Sequence, residues 1–226
     1  MCDYVADYLS QTGQRDKVMA IVQFLPMALE GPALSAGNPA LAKHLKSLSN
    51  MADGYRAITR LGLLFDALGK RTLTALAKPS GDVVSDRLNQ LSHFFHTFYC
   101  IFENTAVYAG HGALPSSLGR LGGCAVTCWF YVLTISIINI LYKLLKKGNL
   151  TKEEKNKELV TLLKLSLFWV FSQTCLPKGG PALLEDVSGP LAPLHHIIRA
   201  IAPKHLELND SIRGSLGFVA SMCDFY

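Results

Sequence analysis

The sequence predicts an all-α integral membrane protein with amphipathic surface helices and one to four membrane-embedded helices. Three observations predict it. Leu121–Tyr142 is 22 residues without a charge, fenced by Arg120 on one side and by Lys143, Lys146 and Lys147 on the other. A helix that crosses a bilayer needs about 20 such residues. Half of the chain is hydrophobic and 17% is charged, against about 25% charged in an ordinary soluble domain. Alternating strand patterns are scarce, whereas apolar residues recur at three- and four-residue spacing through most of the chain.

Taken in order, the opening MCDYVADYLSQ carries Asp3 and Asp7 and no apolar run, so no secretory signal is expected there. Arg15–Leu29 places Val18, Ile21, Val22, Leu25 and Leu29 on one helical face. Pro26 is expected to kink or end that helix, because it lacks an N–H and clashes with the preceding turn. Gly31–Pro39 reads as a linker by composition.

Ala40–Ala77 reads as one long basic amphipathic helix. Residues 41–78 hold seven basic and two acidic residues, a net +5 that equals the formal charge of the whole chain. On an ideal wheel Lys46, Arg56, Arg60, Arg71 and Lys78 fall within an arc of about 80°, and Tyr55, Ile58, Phe65, Leu73 and Leu76 lie opposite. Such a helix can rest at the membrane surface with its apolar face among acyl chains and its cations at headgroups. Lys46, Arg56, Arg60, Arg71 and Lys78, with Tyr55, Ile58 and Phe65, are therefore the expected membrane-surface residues, and the implied ligand is an anionic phospholipid surface. The competing reading is a helix packed in a bundle with a solvated basic face.

Val83–Leu114 is again helical. Its apolar part contains Glu103, which costs at least ~2.5 kcal/mol in hydrocarbon unless partnered. The surest span follows, with Leu121, Trp129, Phe130, Ile137 and Tyr142 along it. Thr151-Lys-Glu-Glu154 is a capping-box pattern that opens a helix running to about Cys175. Pro177–Pro193 is a loop by its prolines and glycines, and short helices are expected near 194–202 and 208–223. Three regions result: residues 1–82 cytosolic or interfacial, 83–147 a membrane-embedded hairpin, and 148–226 a C-terminal helical region.

Other chemistries find little support. His93, His96 and Glu103 lack metal-site spacing, Gly69-Lys-Arg-Thr lacks the glycine spacing of a phosphate loop, and neither a nucleophile elbow nor a dinucleotide fingerprint is present. The six cysteines read as buried reduced thiols. The aromatic residues sit in apolar stretches instead of alternating with basic ones, which argues against nucleic acid. No enzyme activity, catalytic residue, metal or cofactor is expected.

Four segments resemble the peroxin-11 family of peroxisomal membrane proteins. Thr12–Phe24 (TGQRDKVMAIVQF) is similar to its N-terminal signature and Tyr55–Gly62 (YRAITRLG) to its "R-x-x-R-L-G" helix. Glu103–Gly110 (ENTAVYAG) resembles its aromatic-then-glycine segment, and Ile212–Ser221 (IRGSLGFVAS) its Gly/Ser/Leu-rich terminal segment. Ala20 stands where the family commonly has a basic residue, and Pro26 interrupts the first helix. The resemblance implies a peroxisomal or glycosomal multi-pass membrane protein with cytosolic termini. It implies self-association, a peroxisomal membrane-protein import receptor, and dynamin-type fission machinery as partners. It implies that the amphipathic helix elongates and tubulates the organelle membrane, promoting division and proliferation. The alternative is a small-metabolite channel, for which Glu103, Asn104, Thr134 and Asn139 are the candidate polar residues. A third reading is a soluble helical bundle with an unusually apolar core.

Overall fold

A computed structural model describes residues 12–146, 151–178 and 203–226, and among these no strand occurs. The helices are α1 (Thr12–Ser35), α2 (Pro39–Thr59), α3 (Leu61–Leu68), α4 (Lys70–Ala77), α5 (Val83–Gly110), α6 (Leu121–Lys146), α7 (Lys152–Cys175) and α8 (Asp210–Met222). Short 3₁₀ turns occupy Ser116–Arg120 and Cys223–Phe225. The expected loop at Pro177–Pro193 and the short helix near 194–202 lie almost wholly outside the described residues.

Local chemistry explains most boundaries. Asn38 accepts from the Leu41 N–H and Pro39 opens α2, while Asp82 accepts from the Ser85 N–H to start α5. The Thr151–Glu154 capping box forms in both directions. Two expectations are corrected. Pro26 does not end the first helix: α1 continues through Pro26 and Pro32 to Ser35, taking in half of the expected linker. Packing of α1 against α2 and α8 supports a helix that local propensity would interrupt. The long helix from Ala40 is instead three helices, broken at Arg60 and at the extended Gly69 (φ −64°, ψ 140°).

The helices form two groups. In the first, α1 lies between α2 and α8. Along α8, Gly214 and Gly217 let the backbones approach: a Cβ at Gly214 would strike the Met27–Ala28 backbone, and one at Gly217 the Phe24 ring. Small residues at helix contacts are the usual means of close packing inside membranes. In the second group, α5 and α6 run antiparallel in a continuous register. The Ser85 hydroxyl donates to Asn139 Oδ1 (2.9 Å), whose amide donates to Asn89 (2.8 Å). Phe95 then meets Tyr131 and Tyr99 stacks on Trp129, with centroids 5.2 and 6.4 Å apart. Near the hairpin's turn, Gly122 faces the Ala106 methyl. The hairpin is thus tied by interhelical side-chain hydrogen bonds, a device effective where water does not compete. Trp169 of α7 donates to Thr134 on the other flank of α6 (2.9 Å). The two groups meet through Phe24 and Phe171, in edge contact at 5.1 Å, with Trp129 and Phe168 packed against them.

At the open end of the hairpin, Asp82 takes bonds from Tyr142 and Lys146, both 3.1 Å. Desolvation acts to raise the Asp82 pKa, but the bonds from Lys146, the Ser85 N–H and Tyr142 outweigh it and leave the carboxyl below its ordinary value. A depressed folded-state pKa stabilises above the unfolded value, near ~3.9, and that contribution disappears as pH falls through the folded value. Hydrogen exchange at the start of α5 should therefore accelerate below about pH 4, and Asp82→Asn should abolish that step. Gly217→Leu should lower detergent-phase thermal stability by several degrees, since overpacking costs about 1–3 kcal/mol or more. Gly54→Ala, with open space at its Cβ, should be neutral or stabilising by up to about 1 kcal/mol.

Candidate functional site

The segment from Leu48 to Lys78 has an unusual surface. Helical spacing puts Met51, Tyr55 and Ile58 on one side of α2, and all three are exposed, Ile58 at 58%. Beyond the break, Phe65 and Leu68 of α3 continue the apolar surface, Phe65 at 68% exposure. The α4 helix buries none of its residues, and Lys70, Arg71 and Lys78 at its ends are exposed. A soluble domain would hide such side chains. An apolar surface of this extent marks a membrane or partner contact.

The opposite side of α2 faces inward and carries charge. Arg56 is 6% exposed. Its guanidinium makes a two-pronged contact with Asp16 of α1 (2.9 and 3.0 Å), donates to Gln23 and lies over the Phe24 ring. Arg60 donates to Glu103 and, at 3.1 Å, to the Tyr99 hydroxyl, both on α5, and reaches Asp16 at 3.6 Å. Tyr99 in turn donates to the same Glu103 oxygen at 2.8 Å. Gln23 also donates to Asp53 (2.7 Å). These groups line a cavity of about 760 Å³ walled by α1, α2, α5, α6, α7 and the C-terminal turn. On its far side Lys164 donates to Asp224 at 2.6 Å.

This geometry corrects the sequence reading at two residues. Arg56 and Arg60 do not lie at the protein surface as headgroup contacts. Arg56 on the inward side of α2 and Arg60 at the α2–α3 junction turn inward, because Asp16 and Glu103, 40 and 43 residues away in sequence, converge on them. A single-helix wheel carries no information about such partners. The same pairing explains how Glu103 is tolerated in an apolar helix. Lys46 remains exposed and pairs with Glu30 of α1 at 3.3 Å, Arg71 and Lys78 stay exposed on or beside α4, and Tyr55, Ile58 and Phe65 face outward.

The helices Gln14–Ser35 and Ser116–Lys146 are long and apolar enough to cross a membrane, the second with mean hydropathy 2.0. The first was not legible as a span because Arg15, Asp16 and Lys17 crowd its start and two prolines interrupt it. In the second, Leu121, Trp129, Ile137 and Tyr142 are half-buried and Phe130 is buried. The channel candidates separate: Asn139 joins α5 to α6, Thr134 accepts from Trp169, and the Asn104 amide donates back to the Cys100 carbonyl at 2.7 Å. Of the four, Glu103 alone lines the cavity. No cluster of three metal-ligating residues occurs among the described residues.

The chain matches the family model of peroxisomal biogenesis factor 11 (PEX11) over residues 2–226. It belongs to the PEX11 family. Neither the curated proteins nor the solved structures compared with the chain gave a match. As a PEX11 protein it is a peroxisomal membrane protein of organelle biogenesis. Family membership fits this inverted surface, with apolar side chains outward on α2 and α3 and Arg56 turned inward.

The ion pairs of this PEX11 chain make a sharp stability prediction. Asp16→Ala leaves Arg56 buried without its carboxylate, which should cost about 3–5 kcal/mol. Thermal scans of the purified protein in detergent should show a large loss, partly recovered by the exchange Asp16→Arg with Arg56→Asp.

Proposed function

We propose that this chain elongates and tubulates the peroxisomal or glycosomal membrane ahead of division, with the segment from α2 to Lys78 as the element that inserts at the headgroup layer. The observation that carries this reading is the outward apolar row Met51–Tyr55–Ile58–Phe65, followed by the exposed cations Lys70, Arg71 and Lys78. Each cation at an anionic surface contributes about 1 kcal/mol, and apolar insertion adds to it. A helix wedged into one leaflet expands that leaflet, which favours a curved membrane. Lys43 and Lys46 extend the charge at the other end. Arg56 and Arg60 take a different part from the one that the wheel suggested, tying the wedge to α1 and α5 and hence to the membrane helices.

A hairpin of α5 and α6 that crosses the membrane twice would leave both termini on one face, in line with cytosolic ends. Self-association, delivery by a peroxisomal membrane-protein import receptor, and recruitment of dynamin-type fission machinery complete the reading as the family suggests it. A channel has less support, since Asn139 and Thr134 are occupied in helix–helix bonds and Asn104 bonds back within its own helix.

Reconstitution of the full chain into vesicles containing anionic lipid tests the proposal. Electron microscopy should show tubules that Ile58→Asp with Phe65→Asp abolishes, while the variant remains folded by circular dichroism. Lys70→Glu, Arg71→Glu and Lys78→Glu together should cut tubule formation by the reconstituted protein at least about tenfold, a loss that rising salt reproduces in the parent protein. Tubulation unchanged by both sets of substitutions would overturn the assignment.

A further inference from the structure

We propose that the interhelical cavity is a binding site for a zwitterionic ligand bearing one anionic group and one primary ammonium group, the chemistry of a phosphoethanolamine headgroup. The inference stands apart from membrane shaping and rests on the interior of the bundle. The cavity, about 760 Å³, falls within the size range of small-molecule sites. Four carboxylates and four cations line it, so its wall is electrically balanced and suits a zwitterion better than a ligand with net charge.

Two of these groups are unspent. Glu103 Oε1 takes bonds from Arg60 and Tyr99, whereas Glu103 Oε2 is buried with no hydrogen-bond partner among the described residues. A buried carboxylate oxygen calls for a donor. Lys17 is the complementary case. Its ammonium stands 4.0 Å from Asp224, beyond hydrogen-bond reach, because Lys164 already holds that carboxylate oxygen at 2.6 Å. Two cations to one carboxylate leave a place for an anion such as a phosphate.

The surroundings select within zwitterions. Tyr99, bonded to Glu103, stacks on Trp129, and Trp129 lies against Phe168 at 6.0 Å. An ammonium at Glu103 Oε2 would lie beside aromatic faces that attract cations. Since the free oxygen needs an N–H, a primary ammonium satisfies it and the methylated ammonium of choline does not. A serine headgroup brings a carboxylate as a second anionic group without a second free cation. The rest of the wall, including Leu133, Leu165 and Phe168, is apolar and suits the glycerol and upper acyl carbons of a lipid. The same chemistry is available from phosphatidylethanolamine or from free phosphoethanolamine.

The purified full chain in detergent, titrated with short-chain phosphatidylethanolamine or phosphatidylcholine and followed by native mass spectrometry and thermal shift, tests the site. Phosphatidylethanolamine should bind at least about tenfold more tightly than phosphatidylcholine and raise the melting temperature with concentration. Lys17→Gln and Glu103→Gln should each erase that preference, while Lys157→Gln on the exposed face of α7 should keep it. Stabilisation by free phosphoethanolamine would assign the site to a soluble ligand of the same chemistry, and its absence would assign it to the lipid. Equal affinity of the parent protein for the two lipids, which needs no variant, would overturn the proposal, as would a Lys17→Gln protein that retains the preference.

Discussion

The fold depends on the pairing of Arg56 and Arg60 with Asp16 and Glu103. Those four residues come from α1, α2, the α2–α3 junction and α5, and their bonds join the two helix groups across the cavity. In a low-dielectric interior any one of these charges alone would be prohibitive, and together they are tolerable because each has a hydrogen-bonded partner. The constraint reaches outward. With Arg56 committed inward, the other side of α2 presents Met51, Tyr55 and Ile58 outside, and α3 adds Phe65 and Leu68. The exposed apolar surface is thus the geometric counterpart of the charged interior.

This arrangement departs from a water-soluble bundle, where the oily side of an amphipathic helix would be sealed within. Hydrogen bonds between side chains, together with aromatic contacts, connect α5 to α6 and α6 to α7. The fully buried apolar cluster of Ala20, Phe24 and Phe171 is small. A bilayer supplies the apolar surroundings that such a protein lacks internally, and in that setting small-residue contacts such as Gly214 and Gly217 against α1 hold helices together where burial in water cannot. The PEX11 membership and the inverted surface therefore support each other through a single physical cause.

Segmentation of the basic stretch also has a mechanical meaning. A continuous helix from Ala40 to Ala77 would be a rigid rod. The breaks at Arg60 and Gly69 let α2 stay fixed to α1 through Arg56 while α4, which buries none of its residues, meets the bundle at the Leu76 carbonyl, which accepts from Gln90 of α5. The anchored part and the part proposed to work at the membrane surface are then separate elements of one segment, joined by α3.

The sequence by itself determined the helical class, the long apolar helix through Leu121–Tyr142, the capping box at Thr151 and the concentration of positive charge in residues 41–78. These follow from hydropathy, local hydrogen bonding and composition, all of which act over a few residues. Tertiary structure decided which cations face outward, that Pro26 sits inside a continuous helix, and that Glu103 is partnered. Each of these turns on a group distant in sequence: Asp16 for Arg56, Arg60 for Glu103, and the packed faces of α2 and α8 for α1. A helical wheel ranks faces by polarity, but it cannot say whether a charged face will meet water, lipid headgroups or opposite charges from another helix. Only the convergence of α1 and α5 on α2 settles that, because the energy of a charge is fixed by what lies within a few ångströms of it.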